Sequence, residues 1–308
     1  MTASTPRRVL LLINPNSGQG NAALDDFKIA LRARSFDVVE RLLDDPERNF
    51  EHVRDADDFR ALIVAGGDGT VSSIAYEARG QQVPLLIFPA GTANLIAQNL
   101  GLPGDPLGLV DVLEQGHVLR TDLAQLEANG LRWGFTLIAG AGVDARMIRD
   151  SEDLKPRLGV LAYVVSALRQ AVPEQISFHL DLDGQPREVR GISVMFANFG
   201  MANLRLPVAR DIDPTDGRLT VVVLKAHRVL DLLPDLIDRA RQRLHLGDPL
   251  FEGHVETFEC REATLRADRE LPVQYDGEVL DAGLPLSVRI LPGAARFLTP
   301  QPPEEIKT

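Results

Sequence analysis

Through the first hundred residues, short unbroken apolar runs alternate with segments of helical spacing. Residues 7–13, Arg-Arg-Val-Leu-Leu-Leu-Ile, carry an apolar run bounded by Asn14-Pro15, the pattern of a buried strand. Residues 21–34 set Ala23, Leu24, Phe27, Ala30 and Leu31 at helical intervals, and residues 36–43 read as a strand. Ala61 to Ala65 is a further apolar run broken by Gly66-Gly67, and Val71 to Ala78 follows as a helix. Pro84 to Phe88 and Thr92 to Leu100 repeat the strand-then-helix order. Such alternation predicts a parallel α/β sheet.

Near residue 118 the period changes from helical to strand-like. Val118 to Ala128 and Leu131 to Ala139 flank Asn129-Gly130, and Phe178 to Asp183 and Arg187 to Phe196 flank Asp183-Gly184. Asn-Gly and Asp-Gly tolerate positive φ at both turn positions, so both read as hairpins. Leu219 to Leu224, Glu256 to Ala267, Leu271 to Gln274 and Leu286 to Leu291 continue as strands, and helices are expected near 157–171 and 228–246. The second part is therefore predicted to be largely antiparallel β.

Composition narrows the picture. The 308 residues, 44% hydrophobic and 25% charged, suit a globular chain of about two domains. A single cysteine, Cys260, excludes an intramolecular disulfide, fits a reducing compartment and reads as a small core residue. Val9 to Ile13 is too short for a signal-peptide core, and the longest candidate span, Leu158 to Leu168, falls short of the roughly 18 residues of a membrane helix. A net charge of −11 argues against nucleic acid and against global attraction to anionic lipid. The expectation is a cytoplasmic protein that meets any membrane transiently, at its periphery, through a local patch.

Three loops carry the candidate chemistry. Gly66-Gly67-Asp68-Gly69-Thr70 lies between a predicted strand and a predicted helix. Its glycines let backbone N–H groups approach an anion, Thr70 can cap the helix, and Asp68 sets a carboxylate where hydrated Mg²⁺ would sit. Asn14 to Gly20 follows the first strand, with Asn14 and Ser17 as donors to phosphate or ribose. Pro89-Ala90-Gly91-Thr92-Ala93-Asn94 occupies a third strand-to-helix junction. Taken singly, each loop can also be read as a capped turn. Three anion-friendly turns at strand ends point to a ligand outside the carboxyl edge of the sheet. No Gly-x-x-x-x-Gly-Lys-Ser/Thr is present, so the chain has no P-loop.

The trio Asn14-Pro-x-Ser-Gly, Gly66-Gly-Asp-Gly-Thr70 and Pro89-x-Gly-Thr-x-Asn94 resembles the diacylglycerol kinase catalytic domain, including bacterial lipid kinases and sphingosine kinases. Leu158-Gly159-x-Leu161-Ala162-Tyr163, Asp216-Gly217-Arg218-Leu219 and Asp276-Gly277-Glu278 extend the likeness to about residue 298. The resemblance implies an α/β nucleotide-binding domain, residues 1–123 with a returning strand at 286–300, and an antiparallel β-sandwich lipid domain, residues 124–285. It implies ATP and Mg²⁺ as cofactors and a lipid hydroxyl as acceptor. Asn14, Ser17, Gly66, Gly67, Asp68, Gly69, Thr70, Val71, Ser72, Gly91, Thr92 and Asn94 would bind nucleotide. Glu278 would be the general base. Asp216 would hold Mg²⁺, helped by carbonyls of Asp213 and Arg218. Asp122 would join the metal's water network, and Asp276 would support the catalytic turn.

Leu95 stands where many members of that family carry an aspartate, which weakens the implied metal network. Arg41 replaces a threonine common after the second strand and is expected within reach of a phosphate. An NAD-kinase-like enzyme shares the Gly-Gly-Asp-Gly-Thr turn, and a non-catalytic binding protein on the same scaffold is a third reading. Phe178, Phe196, Phe199 and Met201 are candidates for a lipid groove, although core burial is the commoner fate of such residues. The six histidines show no paired metal-ligand spacing. Oligomeric state is left open, a homodimer included.

Overall fold

In the computed structural model, which describes residues 7–17, 21–45, 48–142, 175–200, 212–225, 255–280 and 282–302, four apolar runs form a parallel sheet. Its strands β1 (Arg8–Ile13), β2 (Asp37–Leu42), β3 (Ala61–Gly66) and β4 (Leu85–Pro89) lie in the order β2-β1-β3-β4. Side chains alternate between two helical layers. Val9, Leu11, Ala61 and Ile63 pack with Phe27 and Leu31 of α1 (Asn21–Ala33). Leu10, Leu12, Leu62 and Val64 face the opposite layer of α2 (Asn49–Val53), α3 (Asp68–Glu77) and α4 (Leu95–Asn99). A further helix, α5 (Pro106–Gln115), covers the α1 face and was not among the predicted elements. Its start is nonetheless written in the sequence: Asp105 accepts from Gly108 N at 2.8 Å, and Pro106 fits a first helical position.

The β-rich part contains β5 (His117–Ala128), β6 (Leu131–Phe135), β7 (Ile138–Gly142), β8 (Ile176–Leu182), β9 (Gln185–Gly191), β10 (Ser193–Ala197) and β11 (Leu219–Leu224). It continues with β12 (Val255–Cys260), β13 (Glu262–Ala267), β14 (Val273–Tyr275), β15 (Glu278–Leu280) and β16 (Leu286–Thr299). One sheet extends the parallel sheet through β4-β16-β13-β8-β9, with β5 paired to β16 and β6 paired to β5. The other runs β12-β11-β10-β7-β14-β15. Leu126, Phe135, Phe178 and Leu265 from the first meet Ala139, Phe196, Val221 and Val223 from the second in one core. This is the expected parallel α/β layer joined to antiparallel sheets. Both hairpin turns have positive φ as read, at Asn129-Gly130 and Asp183-Gly184.

Three runs that read as single strands each split. Leu131–Ala139 divides into β6 and β7, Arg187–Phe196 into β9 and β10, and Glu256–Ala267 into β12 and β13. The two parts belong to different sheets in every case. The predicted Leu286–Leu291 strand is instead longer. β16 runs antiparallel to β5 from Leu286 opposite Ala128 to Thr299 opposite His117, with an irregularity between Leu291 and Ala295. Its far half reaches β4, pairing Phe297 with Leu85.

The helices expected at 157–171 and 228–246, including Leu158 to Tyr163, lie outside the described residues. Among the described residues no helix is long and apolar enough to cross a membrane.

Candidate active site

The chain leaves β1 toward β2 on one side and later returns to place β3 on the other, so a crevice opens at the carboxyl ends of β1 and β3. Asn14 sits at that point. Its Nδ2 donates to Thr70 Oγ1 at 2.7 Å, its Oδ1 accepts from Asn16 N at 2.9 Å, and its own N–H donates to Ala65 O at 3.0 Å. The third loop joins through Ala90 N, which donates to Gly66 O at 3.2 Å. Gly67 and Gly91 lie backbone to backbone: a Cβ on Gly91 would fall 2.5 Å from Gly67 Cα. Asn94, left-handed at φ 50°, closes its loop by accepting from Gly91 N at 2.9 Å and donating to Gly91 O at 2.7 Å. The three predicted loops are thus bonded into one surface.

Several residues differ from their expected roles. α3 begins at Asp68 with Gly67 as its cap, so Gly69 and Thr70 lie inside the first turn and Thr70 is not the cap. The three leading N–H groups, of Asp68, Gly69 and Thr70, have no carbonyl within the helix to bond. Val71 is already beyond them: its N–H donates to Gly67 O at 3.0 Å and its side chain is in the core. Asp68 accepts from Ile96 N at 2.9 Å and so caps α4. Leu95 packs against the core and offers no ligand. Ser72 donates to Asp276, which makes it a docking group for another part of the chain. Thr92 is exposed, and Ser17 N donates to Asn14 O at 3.2 Å. Arg41 donates to both oxygens of Asp55, at 2.6 and 2.7 Å, and to His52 O at 2.6 Å.

The Asp276-Gly277 turn joins β14 to β15, with φ of 44° and 88°. Its Asp276 carboxylate accepts from the Ser72 hydroxyl and from the N–H groups of Thr136, Leu137 and Ile138, at 2.8, 2.9 and 2.9 Å. Burial pushes this carboxyl up to about 6, opposed by those four donors. The bonds fix the turn to α3 and leave Glu278 exposed at the crevice. A Cβ on Gly69 would lie 3.5 Å from Glu278 Oε1, so this carboxylate stands over the first turn of α3.

A second carboxylate group gathers before β11. Asp213 Oδ1 accepts from Thr215 N at 2.9 Å and from Thr215 Oγ1 at 2.5 Å, while Asp216 Oδ1 accepts from Arg218 N at 2.8 Å. Arg218 pairs with Glu259 at 3.3 Å. Asp122 was expected in a water network, but its two oxygens take Gly217 N and Gly293 N, both at 2.7 Å. It therefore ties this loop to the β16 irregularity. Burial raises the Asp122 carboxyl, against those two N–H donors, and the nearby charges of Asp216 and Asp213 add to the rise. Asp216 is raised by burial and then by Asp213, against the Arg218 N–H. Among the described residues no set of three His, Cys, Asp or Glu side chains converges as metal ligands.

The aromatic groove does not form from the residues named for it. Phe178, Phe196 and Phe199 are fully buried in the cores, as large apolar side chains usually are, and Met201 lies outside the described residues. Cys260 is a buried core residue, its thiol pushed up to about 12 by burial. Sequence reasoning missed Asn198. This side chain is fully buried and donates to Asp122 O at 3.0 Å and Thr136 O at 2.9 Å. An asparagine ending an otherwise buried strand was the available signal, because it must find partners.

Fold and site together define an α/β scaffold with a β-sandwich that brings a carboxylate to the glycine loop. The profile of the diacylglycerol kinase catalytic domain matches residues 8–126, and that of the YegS C-terminal NAD kinase beta sandwich-like domain matches residues 138–299. Diacylglycerol kinase of Mycobacterium tuberculosis is 29% identical over 309 residues, covering 96% of each chain. Diacylglycerol kinase of Staphylococcus saprophyticus is 24% identical over 286 residues, covering 88% of this chain and 89% of that one. A Bacillus anthracis crystal structure titled as a diacylglycerol kinase has the same fold, with a TM-score of 0.72 at 24% identity over 96% of this chain and 98% of that one. The chain belongs to the diacylglycerol kinase catalytic-domain family, and is a kinase of the lipid-kinase type.

Proposed function

We propose that the protein transfers the γ-phosphoryl group of ATP to the hydroxyl of diacylglycerol, a sphingoid or a related lipid, with Glu278 as general base. The observation that carries this reading is the Glu278 carboxylate over Gly69, on a turn anchored to α3 through Ser72 and Asp276. ATP phosphates meet the N–H groups of the first turn of α3, which have no carbonyl within the helix to bond, where the helix dipole also favours anions. Asn14, Ser17, Gly91, Thr92 and Asn94 border the same crevice. The lipid hydroxyl oxygen forms a bond to the γ-phosphorus while its proton passes to Glu278. The bond from that phosphorus to the β,γ-bridging oxygen breaks, and ADP leaves. A base so placed contributes about 10²–10⁴-fold.

The acidic loop fits Mg²⁺, which takes oxygen ligands, keeps several waters and needs few protein carboxylates. Asp213 repels Asp216, and a cation would relieve that repulsion. Asp216, with Asp213 and the carbonyls of Asp213 and Arg218, would hold the ion, which when bound neutralises charge on the transferred group. In this reading residues 1–123 and the strand at 286–300 form the nucleotide half, residues 124–285 form the lipid half, and the membrane is met transiently.

The test is a panel of acceptors with γ-labelled ATP: diacylglycerol, sphingosine, ceramide, phosphatidylglycerol and NAD. Label on a lipid that depends on Glu278 is the expected result. Label on NAD alone, or on none of the acceptors, would overturn the reading.

A further inference from the structure

The two carboxylate groups described above are joined by one side chain. Asn198 follows β10 and is fully buried. Its Nδ2 carries two protons, and the carbonyls of Asp122 and Thr136, at 3.0 and 2.9 Å, take them. Its backbone N–H donates to Leu137 O at 2.9 Å. Residues 136–138 are therefore gripped from both sides. The Thr136 and Leu137 carbonyls accept from Asn198, and the N–H groups of Thr136, Leu137 and Ile138 donate to the Asp276 carboxylate in the Glu278 turn. Asp122 is gripped similarly, since its carbonyl accepts from Asn198 while its carboxylate holds Gly217 of the acidic loop and Gly293 of β16. Asp122 N also donates to Pro214 O at 2.7 Å.

We propose that Asn198 is a positioning residue that fixes the spacing between the Glu278 turn and the Asp213–Arg218 loop by bonding the Asp122 and Thr136 carbonyls with one amide. The inference rests on the lipid-kinase reading for its effect on rate, but not for the coupling itself. The chemistry requires an amide donor. Among the described residues Asn198 Oδ1 has no partner, so the side chain acts through its NH₂ group. An aspartate of the same size would set a carboxylate against two carbonyl oxygens, and an alanine would leave both carbonyls unpaired in a dry interior. A misplacement of about 1 Å at reacting groups costs about 10²-fold in rate, so a loosened spacer acts on turnover before it acts on nucleotide binding.

Hydrogen exchange on full-length Asn198→Ala and Asn198→Ser tests this, with Ser retaining a single donor. The expected result is faster exchange, by about tenfold, in both the 136–138/275–278 peptides and the 213–218/292–294 peptides, with β1, β3 and β4 unchanged. In parallel, kcat should fall about 10- to 100-fold while KM for ATP stays within about twofold, and Ser should fall between Ala and wild type. Faster exchange in only one of the two regions, or a rise spread evenly over the protein, would overturn the proposal. Failure of both variants to fold would also overturn it, by making Asn198 a folding residue. An inactive wild-type protein would refute the lipid-kinase reading, while joint exchange of the two regions would still support the coupling.

Discussion

The chain has two turns that look alike in sequence, Asp276-Gly277-Glu278 and Asp216-Gly217-Arg218, and they are built to opposite ends. In the first, the aspartate accepts four hydrogen bonds from within the protein, and the residue after glycine is a carboxylate exposed at the crevice. In the second, among the described residues the aspartate accepts from its own loop alone, and the loop is fixed from outside by Asp122. An aspartate whose oxygens are all engaged with donors is a fastener, whatever its neighbours do. One whose carboxyl is raised by a neighbouring carboxylate, as Asp216 is by Asp213, carries charge that its loop does not neutralise. Sequence spacing alone cannot separate these cases, because the deciding donors come from residues 72 and 136–138 in one turn and from residue 122 in the other.

Deleting each aspartate is the strongest way to break that contrast. Asp276→Ala leaves the Ser72 hydroxyl and three buried N–H groups without an acceptor, and should destabilise the protein by about 3–5 kcal/mol. Asp216→Ala removes one bond within an exposed loop and should cost under about 1 kcal/mol. Urea denaturation midpoints at constant slope measure both. Equal losses would mean that the two turns do the same job.

A smaller effect separates them in catalysis. Asp216→Asn should keep the fold and ATP binding but raise the Mg²⁺ concentration needed for half-maximal activity, by about tenfold. A Mg²⁺ titration of activity that superimposes on wild type would remove Asp216 from the metal's surroundings.

The smallest expected effect is on pH dependence. Asp276 is raised to about 6 in the folded protein, against about 3.9 when unfolded. The folded state therefore holds this proton more tightly. The group favours folding below the unfolded value, and that contribution is lost as pH rises from about 4 to about 6. Melting temperature should step down across that window in wild type and less so in Asp276→Asn. Identical profiles would show that Asp276 titrates alike in both states.

Much of the α/β half was legible because a strand buried on both faces is one apolar block, and its loops carry their own chemistry. The exceptions have local causes. Thr70 looked like a cap because Gly66 and Gly67 looked like the end of a turn, yet α3 starts three residues earlier than its apolar periodicity. In the β half, sequence located most of the strands and both hairpins, but not β15 or the sheet switches. A run such as Glu256–Ala267 stays strand-like through Arg261 while its pairing partner changes from β11 to β8 and β16. Side-chain alternation reports which face is buried and is silent about which neighbour is bonded. Glu278 was found by its motif, whereas its position over Gly69, 209 residues earlier, emerged only from the packing of the hairpin on α3.

The central claim, that Glu278 takes the hydroxyl proton, is tested most directly by the single-turnover rate of Glu278→Gln, measured with its melting temperature and ATP affinity on one preparation. The carboxamide is nearly isosteric, and the anchoring bonds belong to Asp276, so the turn should survive. The account predicts unchanged melting and ATP binding with a rate lowered by about 10²-fold or more. A stable, ATP-binding variant that transfers phosphate at the wild-type rate would contradict it.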